Sequence, residues 1–279
     1  MNEVSNEVSN EVFNEVFARS FETLEIRRDR DLLWVTLNNP RKANALAPQM
    51  IAEMTDVYRR PLVDGGIRAV LLRAAGKHFC AGLDLQHLER LRDAGPEENR
   101  RDSESLRALF AAVLRQPALT VAAVHGSCVA GGCGLATAHD YVVAAQGARF
   151  MYSEARIGFV PALVATFLPL RLRGRDLREM LLDPQFIDAS QALEIGLINR
   201  VVPRDELDRA AEELAAGILE RSSSESIART KELLLDNVGL GLGSALERAA
   251  EINARARAAA DCRHGIATFL DTKKPPSWR

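Results

Sequence analysis

The sequence predicts an α/β fold followed by a helical C-terminal region, and two patterns carry this prediction. First, apolar runs typical of strands alternate with segments that have helical spacing. The run 119–124, LTVAAV, is apolar almost throughout, as expected for a parallel strand that is buried on both faces. Second, helix-patterned segments follow one another near the C-terminus without an intervening strand, at 205–220, 226–237 and 246–259.

The elements of the α/β part follow from the period of the apolar residues. Strands are predicted at 21–26, 32–37, 67–73, 119–124 and 141–145. Pro40 ends the second of these strands, and the spacing at 47–60 predicts the first helix. The stretch 86–107 is dense in charge and contains Gly95 and Pro96, which is typical of a mobile loop that acts as a lid and runs into a helix at 105–114, with plain solvated surface as the alternative.

Three regions are predicted along the chain. Residues 2–17 are a fourfold tetrapeptide repeat, NEVSNEVSNEVFNEVF, in which a period of four drifts slowly around a helix. Because this segment is short and acidic, we expect residues 1–20 to be a disordered tail, with a packed helix as the alternative. The α/β core then spans 21–204 and the helical C-terminal region spans 205–279.

Composition and charge exclude several classes of protein. The 279 residues are 47% hydrophobic and 27% charged, as in an ordinary soluble globular protein. Lys plus Arg (36) nearly balances Asp plus Glu (38), so no bulk field attracts nucleic acid or an anionic membrane. No apolar run approaches the roughly 18 residues of a membrane helix. We expect a cytoplasmic protein with neither a nucleic acid nor a membrane as its partner.

The four cysteines do not predict a metal site. Cys80, Cys128, Cys133 and Cys262 form no CxxC pair, and no histidines accompany them at zinc-ligand spacing. We expect buried free thiols. The alternative is that Cys80, which lies at a glycine corner, acts as a nucleophile, but the sequence offers no base to activate it.

Two glycine-rich corners are the main functional signal. The segment 125–134, HGSCVAGGCG, follows the strand 119–124, and the segment 77–85, KHFCAGLDL, follows the strand 67–73. A strand that breaks into glycines before a helix leaves backbone N–H groups free to hold an anion. Two such corners aimed at one oxygen would form an oxyanion hole. Close packing of a helix on a sheet also uses glycine and is the alternative.

Glu154 is the acidic residue that we assign to catalysis. Its neighbours in the segment RFMYSEARIGFVPA are mainly apolar, so an inward-facing Glu154 would lack water and its protonated form would be favoured. Such a carboxyl suits general acid/base work. A surface carboxylate that pairs with Arg156 is the alternative.

Several motifs in order along the chain resemble the enoyl-CoA hydratase/isomerase, or crotonase, family. They are NPRKANAL, FCAGLDL, AAVHGSCVAGGCGLATAHD, ARFMYSEARIGFVPA, ALEIGLINRVVP and GIATFLDTKKP, and the similarity runs from about residue 21 to 278. The resemblance implies a crotonase-like spiral of ββα units with a C-terminal helical trimerisation region. It also implies a homotrimer or a dimer of trimers and an acyl-CoA substrate, with no cofactor apart from the CoA within that substrate.

The resemblance assigns roles to individual residues. The backbone amides of Leu83 and Gly131 would hold the thioester oxygen, and Glu154 matches the second of the two glutamates that familiar hydratases use. Gly134 stands where the first glutamate would be, a combination that looks like the hydratases of glutaconyl-type, branched acyl-CoAs. We therefore expect hydration of a 2-enoyl-CoA. The alternatives are a Δ3,Δ2-enoyl-CoA isomerase that uses the same glutamate and a non-catalytic protein that binds CoA esters.

Further contacts are implied by motif position. Those with CoA are Lys42, Ala43, Ala45, Ala81, Asp84, Leu85, Phe269, Lys273 and Lys274. The expected wall of the acyl pocket is bulky and consists of Phe159, Leu163 and Phe167. At the C-terminus the family's acidic–lysine–arginine pattern is Asp271–Thr272–Lys273 here, which is a departure from it.

Overall fold

The computed structural model describes residues 20–278, so the tetrapeptide repeat lies outside the described residues. Nine strands are described: β1 Leu24–Asp29, β2 Leu32–Leu37, β3 Ala69–Ala74, β4 Leu119–Val124, β5 Ser127–Val129, β6 Tyr141–Ala145, β7 Arg149–Met151, β8 Ile187–Asp188 and β9 Arg200–Val202. The main sheet has the order β1-β2-β3-β4-β6-β9, and all its pairs are parallel except β1 with β2. A smaller sheet has the order β5-β7-β8.

The helices lie between the strands and, after β9, follow one another. They are α1 Pro48–Arg59, α2 Leu85–Leu91, α3 Pro96–Arg115, α4 Gly131–Thr137, α5 Val164–Phe167, α6 Gly174–Leu182, α7 Ala189–Glu194, α8 Leu207–Arg221, α9 Ser224–Asp236, α10 Leu242–Arg257 and α11 Ala260–Thr272. An α/β core followed by helices is thus confirmed. None of the described helices has the length and apolar character needed to cross a membrane.

The main sheet is covered on both faces, as the continuous apolar strand predicts. All six residues of β4 are buried. Ala122 and Val124 face one hydrophobic core, which also holds Met54 of α1, whereas Val121 faces a second core that holds Leu214 of α8. Successive side chains of a strand point to opposite faces, so a strand between two layers of helix must be apolar at every position.

The charged stretch 86–107 is not the predicted loop. It forms α2 and most of α3, which begins with a proline in its first turn and has Glu97 and Glu98 beside it. Ion pairs three residues apart, such as Arg100 with Glu97 at 2.7 Å, stabilise the exposed face of the helix. The prediction was wrong because the charge density that suggested a loop belongs to one solvated side of a helix whose other side is apolar.

The smaller sheet positions the segment that carries the acidic candidate. Along the chain, the corner at 77–85 is the first glycine corner and the corner at 125–134 is the second. β5 lies within the second corner and pairs in parallel with β7, which ends three residues before Glu154. The N–H of Ala130 donates to the carbonyl of Met151 at 2.8 Å. The second corner and the start of the Glu154 segment are therefore held side by side.

Candidate active site

One cavity of about 380 Å³ brings together much of the predicted site. The predicted residues that line it are Ala81, Leu83, Leu85, Gly131, Glu154, Phe159 and Leu163. Its remaining walls come from α2, α3 and the segment between β7 and α5. A mainly apolar cavity with a few convergent polar groups is the usual form of a small-molecule site.

The first glycine corner leaves the amide of Leu83 without a partner. Two bonds flank this residue: the N–H of Leu46 donates to the carbonyl of Gly82 at 2.7 Å, and the N–H of Asp84 donates to the carbonyl of Leu46 at 3.4 Å. Both bonds join this corner to Leu46. In extended backbone the N–H of Leu83, which lies between Gly82 and Asp84, therefore points away from Leu46. Within residues 20–278 the Leu83 N–H has no acceptor.

In the second corner, the N–H of Gly131 also has no acceptor among the described residues. Gly131 is the first residue of α4, and a first-turn N–H has no partner within its own helix. The helix contributes its partial positive charge at this end, although α4 is only seven residues long.

The two corners are in direct contact. A Cβ atom built on Gly82, whose φ is +90°, would lie 3.7 Å from the Gly131 nitrogen and 3.1 Å from the carbonyl of Val129. A Cβ atom on Gly132 would lie 2.6 Å from the Cβ of Cys80. Glycine is therefore required at both positions, and the free amides of the two corners are neighbours at one wall of the cavity.

Glu154 faces the cavity without an ion-pair partner. Its Oε2 atom is buried and accepts no hydrogen bond. Burial raises the pKa of this carboxyl above its ordinary value, and a backbone N–H only partly opposes the shift. No salt bridge to Glu154 is present within the described residues: Oε2 is buried without a partner and Arg156 is exposed, so the alternative of a surface ion pair does not hold.

Two neighbouring side chains occupy the space that a side chain at position 134 would need. A Cβ atom here would lie 2.6 Å from Cγ1 of Val164 and 3.0 Å from Cζ of Phe110. Both of these side chains are buried. No side chain, and least of all a carboxylate, fits at this point of α4 unless those neighbours move.

Other predicted residues lie outside the cavity lining. The rings of Phe167 and Phe110 pack edge to face, with centroids 5.6 Å apart. Phe110 lines the cavity and Phe167 does not, so Phe167 only packs against the lining. Lys42 forms an ion pair with Asp84 at 3.2 Å, and Asp84 also caps α2 by accepting from the N–H of His87. The three C-terminal CoA-contact candidates, Phe269, Lys273 and Lys274, are exposed and are not part of the lining.

Ala43 and Ala45 lie close to the first corner. The carbonyl of Ala43 accepts from the N–H of Ala81 at 3.1 Å, and Ala45 is buried. The Cys80 thiol behind them is also buried, and burial raises its pKa to about 12. A thiol with so high a pKa is a poor nucleophile at neutral pH.

The sequence analysis missed the contribution of α3. Asp102, Leu106 and Phe110 all line the cavity, and Ser103 lies beside them. The spacing of four residues between successive members of this row is the signal that could have identified a helix face directed at the site. The high charge of the surrounding residues concealed it.

Comparisons with known proteins agree with this geometry. Residues 27–279 match the family described as enoyl-CoA hydratase/isomerase. A Thermus thermophilus protein named "Putative enoyl-CoA hydratase" is 41% identical over 242 residues, which are 87% of this chain and 95% of that protein. A peroxisomal Delta(3,5)-Delta(2,4)-dienoyl-CoA isomerase of Arabidopsis thaliana is 27% identical over 92% of this chain and 97% of its own length.

A solved structure confirms the fold. The crystal structure of an enoyl-CoA hydratase from Mycobacterium smegmatis is 30% identical, superposes with a TM-score of 0.84, and covers 92% of this chain and 98% of its own. The family match covers nearly all of the chain, and the crotonase-like fold predicted from the motifs is present. The chain is thus an enzyme of the enoyl-CoA hydratase/isomerase family.

Proposed function

We propose that the protein adds water to the double bond of a 2-enoyl-CoA through a thioester enolate. The observation that carries this proposal is that two neighbouring amides without acceptors, on Leu83 and Gly131, line the same cavity as an unpaired, partly buried carboxyl, Glu154. Donors aimed at an oxygen and an acid/base beside it are the two requirements of enolate chemistry.

The steps follow from these groups. Both amides donate to the thioester oxygen, and the ionised Glu154 takes a proton from a water molecule as the oxygen of that water bonds to C3. The electron pair of the double bond moves to C2 and into the carbonyl, which gives the enolate that the amides stabilise. Glu154 then returns its proton to C2. Losing one such donor typically costs roughly 10²–10³ in rate. The reaction needs no metal or redox cofactor because proton transfers complete it.

The substrate class is proposed from the cavity walls. Phe159, Leu163 and Val164 provide an apolar surface that suits a branched acyl group. Arg156 is a cation in the same lining and favours a glutaconyl-type group with a distal carboxylate. Lys42, which lies near the first corner, remains our candidate for the CoA side, as do the exposed Lys273 and Lys274.

The filled space at Gly134 favours a second candidate, the Δ3,Δ2-enoyl-CoA isomerase. Val164 and Phe110 occupy the place from which a second carboxylate would help to hold water. A single carboxylate is sufficient to remove a proton from C2 and deliver it to C4. One relative carries the name of a dienoyl-CoA isomerase. A third candidate, a protein that binds CoA esters without turnover, is separated by the same experiment.

The experiment supplies a 2-enoyl-CoA and a 3-enoyl-CoA in ¹⁸O-labelled water. A hydratase incorporates the label at C3 of the first substrate, whereas an isomerase converts the second without incorporation. We expect Glu154→Gln to lower kcat by a factor of about 10² or more, since general acid/base catalysis contributes roughly 10²–10⁴. Glu89→Gln, an exposed glutamate of α2, is the control and should keep wild-type activity.

Three results would contradict the proposal. Isomerisation without label would establish the second candidate. Binding of CoA esters without turnover of either substrate would establish the third. An unchanged rate in Glu154→Gln would remove this residue from the mechanism.

A further inference from the structure

A histidine–aspartate pair lies in the cavity wall away from Glu154 and takes no part in the proposed mechanism. Nε2 of His87, on α2, lies 2.5 Å from Oδ1 of Asp102, on α3. The two side chains are only 12% and 15% exposed. Asp102 lines the cavity, and His87 stands behind it.

The hydrogen bonds around the pair define which atoms remain available. Nη2 of Arg90 lies 3.3 Å from Nδ1 of His87, and because a guanidinium only donates, Nδ1 acts as the acceptor. Nε2 therefore carries the proton and donates to Oδ1 of Asp102. The other oxygen, Oδ2, receives no hydrogen bond from residues 20–278. Asp102 thus offers the cavity an oriented acceptor.

The position of Asp102 places this acceptor away from the reacting carbons. Asp102, Leu106 and Phe110 form one row along α3, and the rise of 1.5 Å per residue separates the first from the last by about 12 Å. Phe110 contacts the position of Gly134 on α4, one turn from the Gly131 amide. The apolar Leu106 lies between the two ends, so an acyl group that follows this wall passes from the amides toward a polar end formed by Asp102 and Ser103.

We infer that Asp102, oriented by His87, is a specificity-determining residue that binds an O–H donor, a hydroxyl, on the acyl group of the substrate. This assignment deepens the proposed function and rests on it, since it assumes that the cavity holds the acyl group of a CoA ester. A carboxylate at this point would meet a like charge, so the distal carboxylate of a glutaconyl-type group would lie at Arg156, and the acceptor Asp102 is left for a hydroxyl. The hydroxyl of Ser103, the residue after Asp102, also belongs to this polar end of the cavity.

The pantetheine arm of CoA also carries N–H and O–H donors, and the test separates this source from the acyl group. Affinities are measured by calorimetry for saturated acyl-CoAs of short and medium chain length, each with a terminal hydroxyl or with a terminal methyl group. Saturated esters cannot react, so the measurement does not depend on turnover. For one chain length we expect the wild type to bind the hydroxylated ester roughly tenfold more tightly, or about 1.4 kcal/mol, because the hydroxyl donates to a charged acceptor.

The variants then assign the preference to Asp102. Asp102→Leu should abolish the preference while it keeps or improves affinity for the methyl esters, which also shows that the variant is folded. Asp102→Asn should retain part of the preference, since an amide oxygen still accepts. Asp93→Leu is the control: Asp93 follows α2, is 76% exposed and is absent from the cavity lining, so it should change nothing.

Two outcomes would overturn the inference. One is a wild type that does not distinguish hydroxylated from methyl esters at any length. The other is an Asp102→Leu variant that loses the same affinity for both, which would assign the acceptor to pantetheine or to structure. Failure of the proposed function is a different result, namely the absence of turnover with 2-enoyl-CoA by a wild type that still shows the preference.

Discussion

At the scale of single residues, the proposed catalytic role of Glu154 comes with a cost in stability. Its Oε2 atom is buried without a hydrogen bond, and burial raises the pKa of the carboxyl. A general base works best when its pKa approaches the working pH. The same burial means that the ionised form, which the proposed water activation needs, is the form that the folded protein disfavours.

We expect this cost to appear as a pH-dependent stability. Since burial raises the folded-state pKa above its ordinary value of 4.5, Glu154 adds stability that is fully present below pH 4.5 and is lost as the pH rises through the higher folded value. Glu154→Gln should therefore be more stable than the wild type at pH 7, and the difference should shrink on acidification toward pH 4. Chemical denaturation at a series of pH values measures it.

Glu53 supplies a control, because its pKa is lowered in the folded protein whereas that of Glu154 is raised. Burial raises the pKa of Glu53, but hydrogen bonds from Thr23, the backbone of Glu22 and Gln49 outweigh it and leave the pKa lowered. Its contribution is present above 4.5 and is lost as the pH falls through the folded value. Glu53→Gln should thus destabilise the protein at pH 7. An equal and pH-independent effect of both substitutions would contradict the assignment.

At the scale of elements, helix α9 is joined to the main sheet by an ion pair of Lys231 and by a hydrogen bond from Nε of Arg68 to Ser224. None of its residues is fully buried. Nζ of Lys231 lies 2.6 Å from Oδ2 of Asp140 and 2.7 Å from the carbonyl of Ala118. Asp140 also accepts from the N–H and the hydroxyl of Thr120. One ion pair with additional hydrogen bonds therefore joins α9 to the sheet at β4 and at the residue before β6.

We expect Lys231→Met to lower the free energy of unfolding by about 3–5 kcal/mol, because removing one partner leaves the other charge poorly compensated. Arg229→Met on the same helix is the control, since Arg229 pairs only with residues of α9 at the surface and such pairs contribute about 0.3–0.5 kcal/mol. Urea denaturation gives both values, and hydrogen exchange should show faster opening in α9 for Lys231→Met alone. Equal effects of the two substitutions would refute this role.

At the scale of the whole molecule, the last helices expose many apolar side chains. They are Leu234, Val238, Leu242, Leu246, Ile266, Phe269 and Leu270. Large exposed apolar patches mark interaction surfaces in soluble proteins. Together with the trimerisation region that the family resemblance implies, this surface supports assembly through the C-terminal helices.

We therefore predict a homotrimer or a dimer of trimers in solution. Light scattering should give three or six times the chain mass of 30.6 kDa. Leu242→Glu, at a side chain that is 77% exposed, should reduce the order of assembly, because it would bury a charge without a partner. Leu182→Glu on α6, which is 75% exposed, is the matched control for an intact trimer. A wild type of single-chain mass would contradict this prediction.

Much of the fold and part of the site could be predicted from the chain alone, because local patterns encode them. A fully apolar run must be buried on both sides, and β4 has the predicted bounds of 119 and 124. Glycine runs after strands mark corners with free amides, and Leu83 and Gly131 both line the cavity. The identity of Glu154 as the acidic candidate came from the apolar residues around it in sequence.

By itself, the sequence determined the α/β class, the two glycine corners and the family, since each depends on neighbouring residues or on motifs in order. Only the tertiary structure decided which side chains fill the space at Gly134 and that His87 orients Asp102 in the cavity wall. The physical reason is that these features are contacts between residues 15 or more positions apart, which packing selects and no local pattern specifies.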